Sequence, residues 1–179
     1  MDDTFIVDVS PILGESGATL EIDSEVPLGS IIVGDSEISF SSPPRLHATL
    51  ANLGDVILLS GTVETSARLD CSRCVEPFDL PLSGTLDAVI SDADDPDARN
   101  EDQEWYLLQG EAVDVLPAAE SALRVEVPFA PVHDEECRGI CPTCGCDLNR
   151  DECTCEAHAK SRPDSPFASL KDLLPPDQE

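Results

Sequence analysis

Six of the eight cysteines lie within residues 133–156, and their spacing is typical of a metal site. The piece Cys141-Pro-Thr-Cys144-Gly145 has the form of a zinc knuckle. Two thiolates separated by two residues reach one tetrahedral ion, and the glycine lets the chain turn tightly. Cys153 and Cys155 would complete a set of four thiolates, and Cys137 competes for one of these positions. We therefore expect bound Zn²⁺ with ligands drawn from Cys137, Cys141, Cys144, Cys153 and Cys155.

Cys146 has no place in this set and is interpreted as a spare or supporting thiol, because six thiols cannot all bind one zinc ion. Reduced, unliganded thiols and an iron–sulfur cluster are the alternatives to zinc. A catalytic zinc normally keeps an open position and uses histidine or carboxylate ligands. A site saturated with thiols therefore favours a structural zinc that fastens a loop lacking a core of its own.

A second Cys-x2-Cys pair, Cys71 and Cys74, stands at a turn between two predicted strands. Three interpretations compete for it. The pair could join Cys141 and Cys144 in one zinc ribbon. It could be a redox dithiol, which would make the protein a thiol oxidoreductase or redox sensor, although the βαβ context of such proteins is missing. It could also be a turn whose small side chains pack locally.

Other catalytic patterns are weak in this chain. Of the three histidines, His133 and His158 flank the cysteine-rich segment and are plausible ligands, whereas His47 is interpreted as structural. The sequence has no G-x-S-x-G, no glycine loop that would cradle phosphate, and no His-x3-His pair. We therefore expect no enzymatic activity and no small-molecule substrate.

The charge of the chain limits its partners. Ten Lys and Arg stand against 37 Asp and Glu, for a formal net charge of -27. Such a surface repels phosphate backbones and suits a basic protein partner. The N-terminus lacks the pattern of a secretory signal, and the longest apolar run is too short to cross a bilayer. We expect a cytoplasmic protein that does not bind membranes.

The strand pattern is clearest in the middle of the chain. Small or apolar residues alternate with polar ones over residues 45–52, 56–70 and 77–90, which predicts an antiparallel meander with one wet face. Shorter strand-like runs occupy residues 5–9, 18–22 and 37–40, and Pro43-Pro44 should interrupt the chain between these runs and the meander.

Later segments complete the predicted organisation. Residues 91–104 hold seven acids and predict a solvated loop, followed by a short strand over residues 105–108. Asp114 should cap a helix that runs to about Val125 and is ended by Pro128. The fold class is α+β: a β-rich domain with a meander and one main packed helix over residues 1–130, a zinc-binding segment over residues 131–160, and a short helical tail over residues 161–179.

The order of the motifs resembles the YceD family, also called DUF177, the large ribosomal RNA subunit accumulation proteins. The resemblance covers roughly residues 45–174. It rests on pieces that occur in the family's order: Cys71-Ser-Arg-Cys74-Val-Glu-Pro-Phe, Glu111-Ala-Val-Asp114-Val-Leu116, Val127-Pro128, Pro131-Val-His133-Asp, Gly145-Cys146-Asp147-Leu148-Asn149 and Ser165-Pro-Phe167-Ala-Ser-Leu170. Cys146 departs from the pattern, since a residue other than cysteine is expected there.

The resemblance implies a non-enzymatic role in 23S ribosomal RNA accumulation and large-subunit biogenesis. Some family members lack the C-terminal cysteines, which implies that this zinc segment is a stabilising accessory and that Cys71 and Cys74 belong to a shared functional surface. Combined with the charge, the role implies that the protein binds a basic ribosomal protein or processing factor. The alternative is direct RNA contact through a basic patch of Arg68, Arg73, Arg138 and Arg150.

Overall fold

The computed structural model describes residues 4–91 and 104–155. The chain divides into two compact units, with the boundary between Cys137 and Arg138. Every helix and strand of the described residues lies in the first unit, whereas the described part of the second unit consists of cysteine-bearing turns. The predicted helical tail, residues 161–179, lies outside the described residues.

The first unit is β-rich and contains two helices among its described residues. Its elements follow one another along the chain in this order: β1 (Ile6–Asp8), α1 (Ser10–Leu13), β2 (Thr19–Glu25), β3 (Ser30–Val33), β4 (Ser36–Asn52), β5 (Ile57–Asp70), β6 (Pro77–Ser91), β7 (Glu104–Leu107), β8 (Ala112–Asp114) and α2 (Leu116–Glu126).

The predicted meander is confirmed and forms the centre of a six-stranded sheet. Strands β4, β5 and β6 pair antiparallel in sequence order, and β2 adds to the outer side of β4. In the register, Leu50 lies opposite Leu59, and Leu59 lies opposite Ala88, so that one face of the sheet is apolar. The period-two pattern thus places its apolar residues on one buried face.

The prediction that Pro43-Pro44 interrupts the strand pattern is wrong, because β4 continues through both prolines. The strand accommodates them with register shifts between Phe40 and Ser42 and between Ser42 and Arg45. Such bulges are where a strand tolerates residues that cannot donate a hydrogen bond. The carbonyl of Pro44 still accepts a hydrogen bond from the Val26 N–H, at 2.8 Å. One strand therefore pairs with β3 along its first half and with β2 along its second.

The strand expected at residues 105–108 is present as β7, but its pairing is parallel. It lies beside β6, with Val89 opposite Trp105 and Ile90 opposite Tyr106. The predicted acidic loop falls mostly on residues 92–103, outside the described part of the chain. The short elements β3, β8 and α1 carry too few residues for a recognisable period and were not predicted.

Helix α2 covers the apolar face of the sheet. Its buried residues include Leu116, Ala119 and Leu123, as the helical period predicts. The N-cap is Val115, one residue after the predicted Asp114. The Oδ1 atom of Asp114 still accepts hydrogen bonds from the N–H groups of Leu116 and Phe5, both at 3.0 Å, and so ties the chain just before the helix. Neither described helix has the length and apolarity of a membrane-spanning segment.

Candidate metal centres

The turn between β5 and β6 is built as a knuckle. The Cys71 N–H donates to the Glu76 carbonyl, and the Val75 N–H donates to the Cys71 carbonyl, both at 2.9 Å. Val75 has a φ of 62°, the left-handed conformation that β-branched residues rarely adopt. The chain thereby reverses so tightly that Cys71 and Cys74 lie on the same side of the turn.

The segment after α2 is fastened to this turn by three hydrogen bonds. The Ser72 N–H donates to the Pro131 carbonyl at 2.8 Å. The Arg73 Nη1 donates to the carbonyls of Glu135 and Cys137, at 2.8 and 3.0 Å. These bonds bring residues 131–137 against the knuckle and place its histidine and cysteine beside the two thiols.

The result is a group of three thiols and one imidazole, named here the first cluster: Cys71, Cys74, His133 and Cys137. One ligand atom from each lies within 4.8 Å of all the others. The Sγ atoms of Cys71 and Cys137 are 3.8 Å apart, and Cys74 Sγ is 3.4 Å from His133 Nδ1. The ligand separations around a tetrahedral zinc ion are about 3.8 Å for two sulfurs and about 3.6 Å for sulfur and nitrogen, as its bond lengths dictate.

Electrostatics in the first cluster favour one thiolate. Burial raises the pKa of Cys71, but hydrogen bonds from the backbone N–H groups of His133, Cys74 and Arg73 outweigh it and bring the pKa to about 5. The Cys71 thiolate in turn raises the pKa of His133. Burial, followed by the neighbouring thiols, raises the pKa of Cys74 to about 11. One anion therefore forms readily here, and a bound cation would favour the others.

The second unit repeats the knuckle. The Cys141 N–H donates to the Cys146 carbonyl at 2.8 Å, and the Gly145 N–H donates to the Cys141 carbonyl at 2.9 Å. Gly145 has a φ of 74°, which glycine adopts without strain. Further along, the Leu148 N–H donates to the Gly139 carbonyl at 2.9 Å and closes the loop.

Around this second knuckle lies a group of four thiols, named here the second cluster: Cys141, Cys144, Cys146 and Cys153. Their Sγ atoms all lie within 4.8 Å of one another. Cys153 Sγ is 3.4 Å from Cys141 Sγ and 3.7 Å from Cys144 Sγ. Cys155 also interacts with the thiols of Cys144 and Cys153, so that five thiols compete for the four positions of one ion.

The thiols of the second cluster differ in their readiness to ionise. Hydrogen bonds from the Cys144 and Thr143 backbone lower the pKa of Cys141 to about 6. The hydrogen bond with Cys144 is the main cause that raises the pKa of Cys146, and likewise that of Cys155, to about 12. A hydrogen bond from the Cys146 backbone also lowers the pKa of Cys144. Both thiols of the knuckle therefore ionise more readily than those of Cys146 and Cys155.

The structure distributes the predicted ligands over two places. Three of them, Cys141, Cys144 and Cys153, come together, with Cys155 beside them. Cys137 lies in the first cluster, and Cys146, interpreted as a spare, lies in the second. His158 is outside the described residues. His47 lies on the sheet, with its Nδ1 3.4 Å from Asp23 Oδ2.

Sequence reasoning missed that His133 and Cys137 belong with Cys71 and Cys74. The available signal was the His-x3-Cys spacing after Pro131, which resembles half of a metal site. Each cluster offers four donors of the kind that bind soft or borderline metal ions, and either can hold one ion.

The sheet face opposite α2 is acidic. Its two arginines, Arg45 and Arg68, form ion pairs with Asp23 at 2.9 Å and with Asp79 at 3.0 Å. Exposed pairs of this kind add little stability, but they neutralise the arginines. The exposed carboxylates that β2, β5 and β6 place on this face, named here the acidic face, are Glu21, Asp23, Glu25, Glu64, Asp70, Asp79 and Asp87.

Comparison with known families agrees with the order of these motifs. A family model described as "Large ribosomal RNA subunit accumulation protein YceD" matches residues 59–174. This range includes β6, α2 and every cysteine of both clusters. The chain belongs to the YceD family, which is named for ribosomal RNA accumulation and not for a catalysed reaction.

Individual relatives extend the similarity beyond this range. An uncharacterized protein of Mycobacterium leprae is 26% identical over 175 residues, which are 96% of this chain and 78% of that protein. A Mycobacterium tuberculosis protein is 26% identical over 135 residues, 75% of this chain and 63% of its own length. The chloroplastic YCED homolog 1 of Arabidopsis thaliana, a large ribosomal RNA subunit accumulation protein, is 22% identical over 160 residues, 74% of this chain and 50% of that protein. No solved structure matches the chain significantly.

Proposed function

We propose that the protein is a non-catalytic factor that supports 23S ribosomal RNA accumulation and large-subunit biogenesis in the cytoplasm. The observation that carries this proposal is the family match over residues 59–174, which spans β6, α2 and both cysteine clusters. The Arabidopsis relative, whose name states the same role, supports it. Both clusters are saturated with protein donors, which favours metal ions that hold structure over metal ions that perform chemistry.

The partner that best fits the surface is a basic ribosomal protein or processing factor. Two carboxylates of the acidic face are paired with arginines, and Glu21, Glu25, Glu64, Asp70 and Asp87 are left to attract a cationic partner. The whole chain carries a net charge of -27, so the long-range field also steers basic proteins towards it.

Direct binding of RNA is less compatible with the placement of the basic residues. Arg68 is paired with Asp79, and Arg150 with Asp147 at 3.6 Å. The Arg73 guanidinium donates to two backbone carbonyls of the first unit. Three of the four arginines considered for an RNA-binding patch are therefore engaged within the protein, and each would have to exchange a partner for a phosphate.

A thiol oxidoreductase is likewise disfavoured. Such an enzyme needs a thiolate that a substrate disulfide can reach, whereas Cys71 is only 1% exposed. The low pKa of Cys71 is also what a metal ligand requires.

In the second cluster, we propose a structural Zn²⁺ bound by Cys141, Cys144 and Cys153, with Cys146 or Cys155 as the fourth ligand. The short separations between the sulfurs support this assignment. Such an ion would fasten a segment that contributes little apolar surface, which is the usual role of a four-thiolate zinc site.

Charge-matched variants test the partner. In one variant, Glu21, Glu25, Glu64 and Asp87 of the acidic face are replaced by Gln or Asn. In the control, four exposed carboxylates elsewhere in the first unit are replaced in the same way: Glu15, Asp35, Asp55 and Glu111. Both variants lose the same net charge, and only the first alters the acidic face.

The tagged chains are used to capture partners from cells, with nuclease and protease treatment of the captured material. We expect wild type and control to retain a basic protein after nuclease treatment and to release it with rising salt, and the acidic-face variant to retain far less. Capture of RNA that survives protease, without a basic protein, would overturn the proposed partner.

A further inference from the structure

The two knuckles share more than their Cys-x2-Cys spacing. In each, the first cysteine donates its N–H to the carbonyl five residues later and accepts from the N–H four residues later. In each, the Sγ of that first cysteine also accepts hydrogen bonds from the N–H groups two and three residues later, those of Arg73 and Cys74 in one and of Thr143 and Cys144 in the other. This arrangement solvates a thiolate and orients it for a metal ion.

The other two candidate metal ligands of the first cluster, Cys137 and His133, are positioned by contacts of their own. The Cys137 N–H donates to the Asp134 carbonyl at 3.1 Å, and the Cys137 carbonyl accepts from Arg73. The His133 ring packs edge-on against Phe78, with ring centroids 6.4 Å apart. Because these contacts do not involve the thiols, the donors are held in position by the surrounding chain.

We propose that the first cluster binds a zinc ion of its own, so that the protein carries two zinc ions in two independent sites. The ligands are the Sγ atoms of Cys71, Cys74 and Cys137 and the Nδ1 atom of His133. The separations of 3.8 and 3.4 Å match the edges of a tetrahedron around one ion.

This first zinc ion is structural. With three thiolates and one imidazole, the coordination is complete and leaves no position for a substrate. The ion joins the β5–β6 turn to residues 131–137. These two segments are far apart in the chain, since Cys71 and Cys137 are separated by 66 positions. Closing so long a loop stabilises the folded state by restricting the unfolded chain, as a disulfide does.

Metal content measured on the full chain tests the proposal. Zinc-loaded protein is examined by native mass spectrometry as wild type, as Cys74→Ser with His133→Ala, and as Cys141→Ser with Cys144→Ser. The first pair of substitutions avoids the buried thiols of the first cluster. We expect two zinc ions in wild type, one in each double variant and none when all four substitutions are combined.

The identity of the ligands is tested with Co²⁺ bound in the Cys141→Ser, Cys144→Ser background. A site with three thiolates and one imidazole absorbs at shorter wavelength in the visible ligand-field region than a site with four thiolates. Replacing His133→Cys should therefore keep the metal and shift these bands to longer wavelength, which a misfolded variant would not do.

Three results would overturn the proposal. Wild type could bind one zinc ion that is lost in the second double variant and kept in the first. One ion could be lost in both double variants, which would indicate a single shared site. The His133→Cys spectrum could be identical to that of its parent, which would exclude His133 as a ligand. None of these results measures ribosomal RNA accumulation, so the proposed function is tested by separate experiments.

Discussion

Val75 and Gly145 occupy the same position in two separate turns, each donating its N–H to the carbonyl of the cysteine four residues earlier, at 2.9 Å in both. Their φ angles are 62° and 74°. Glycine adopts such positive φ angles without strain, whereas the Cβ of valine makes the left-handed region unfavourable. The β5–β6 turn keeps a strained residue because the surrounding hydrogen bonds fix the knuckle.

Replacing Val75→Gly should relieve this strain. The left-handed conformation costs a β-branched residue about 1–2 kcal/mol, and glycine avoids this cost. Glycine also loses more conformational entropy on folding, which offsets about half of the gain. Because Val75 is 63% exposed, little packing is lost. We expect the free energy of unfolding to stay equal or to rise by up to about 1 kcal/mol in denaturant titrations of the metal-loaded protein. Gly145→Val should lower it, and a clear loss in Val75→Gly would contradict the strain.

Asp114 should stabilise the folded protein because its side-chain oxygen accepts hydrogen bonds, and not because the side chain is charged. Its Oδ1 atom accepts from both Phe5 and Leu116, which joins the N-terminal strand to the start of α2. We expect Asp114→Ala to cost about 1–2 kcal/mol of stability and Asp114→Asn distinctly less, because asparagine keeps the acceptor oxygen. Thermal or urea unfolding measures both; equal losses in the two variants would show that the charge matters more.

Gly84 lets α2 approach the sheet. A Cβ built at this position would lie 2.7 Å from the carbonyl carbon and oxygen of Ala122, which belong to the helix backbone. Gly84→Ala should therefore force the helix away and cost about 1–3 kcal/mol. The control is Gly29→Ala, where a Cβ would meet nothing within 4 Å. The prediction fails if both variants unfold at the same denaturant concentration.

The five thiols around the second knuckle should make its fourth ligand replaceable. Cys146 lies within the group of four, and Cys155 interacts with two of its members. We expect Cys146→Ser and Cys155→Ser each to keep the zinc ion, and the double variant to lose it to a competing chelator. Loss of the ion in one single variant would instead identify that residue as an obligatory ligand.

The sequence predicted those parts of the fold that have a local cause. Alternation identified β5 and β6 nearly to the residue, and Asp114 followed by Pro117 located the start of α2. The prolines at 43 and 44 were misjudged, because a bulge that depends on pairing with β5 accommodates them. The parallel pairing of β7 with β6 also depends on distant residues, which a local pattern does not encode.

The cysteines show the same division between local and distant causes. Each Cys-x2-Cys turn is visible in the sequence, since its geometry arises within six residues. The partners of the first turn are not, because His133 and Cys137 reach it through hydrogen bonds from Ser72 to Pro131 and from Arg73 to Glu135. Sequence spacing therefore assigned Cys137 to the C-terminal group, whereas the structure places it with Cys71.

The central claim is that this protein supports accumulation of the large ribosomal RNA, and its most direct test is the ratio of large- to small-subunit RNA in cells that lack the gene. Deletion should lower this ratio. Wild type and the four-carboxylate control variant should restore it, whereas the acidic-face variant, expressed at the same level, should not. An unchanged ratio in the deletion strain would contradict the account.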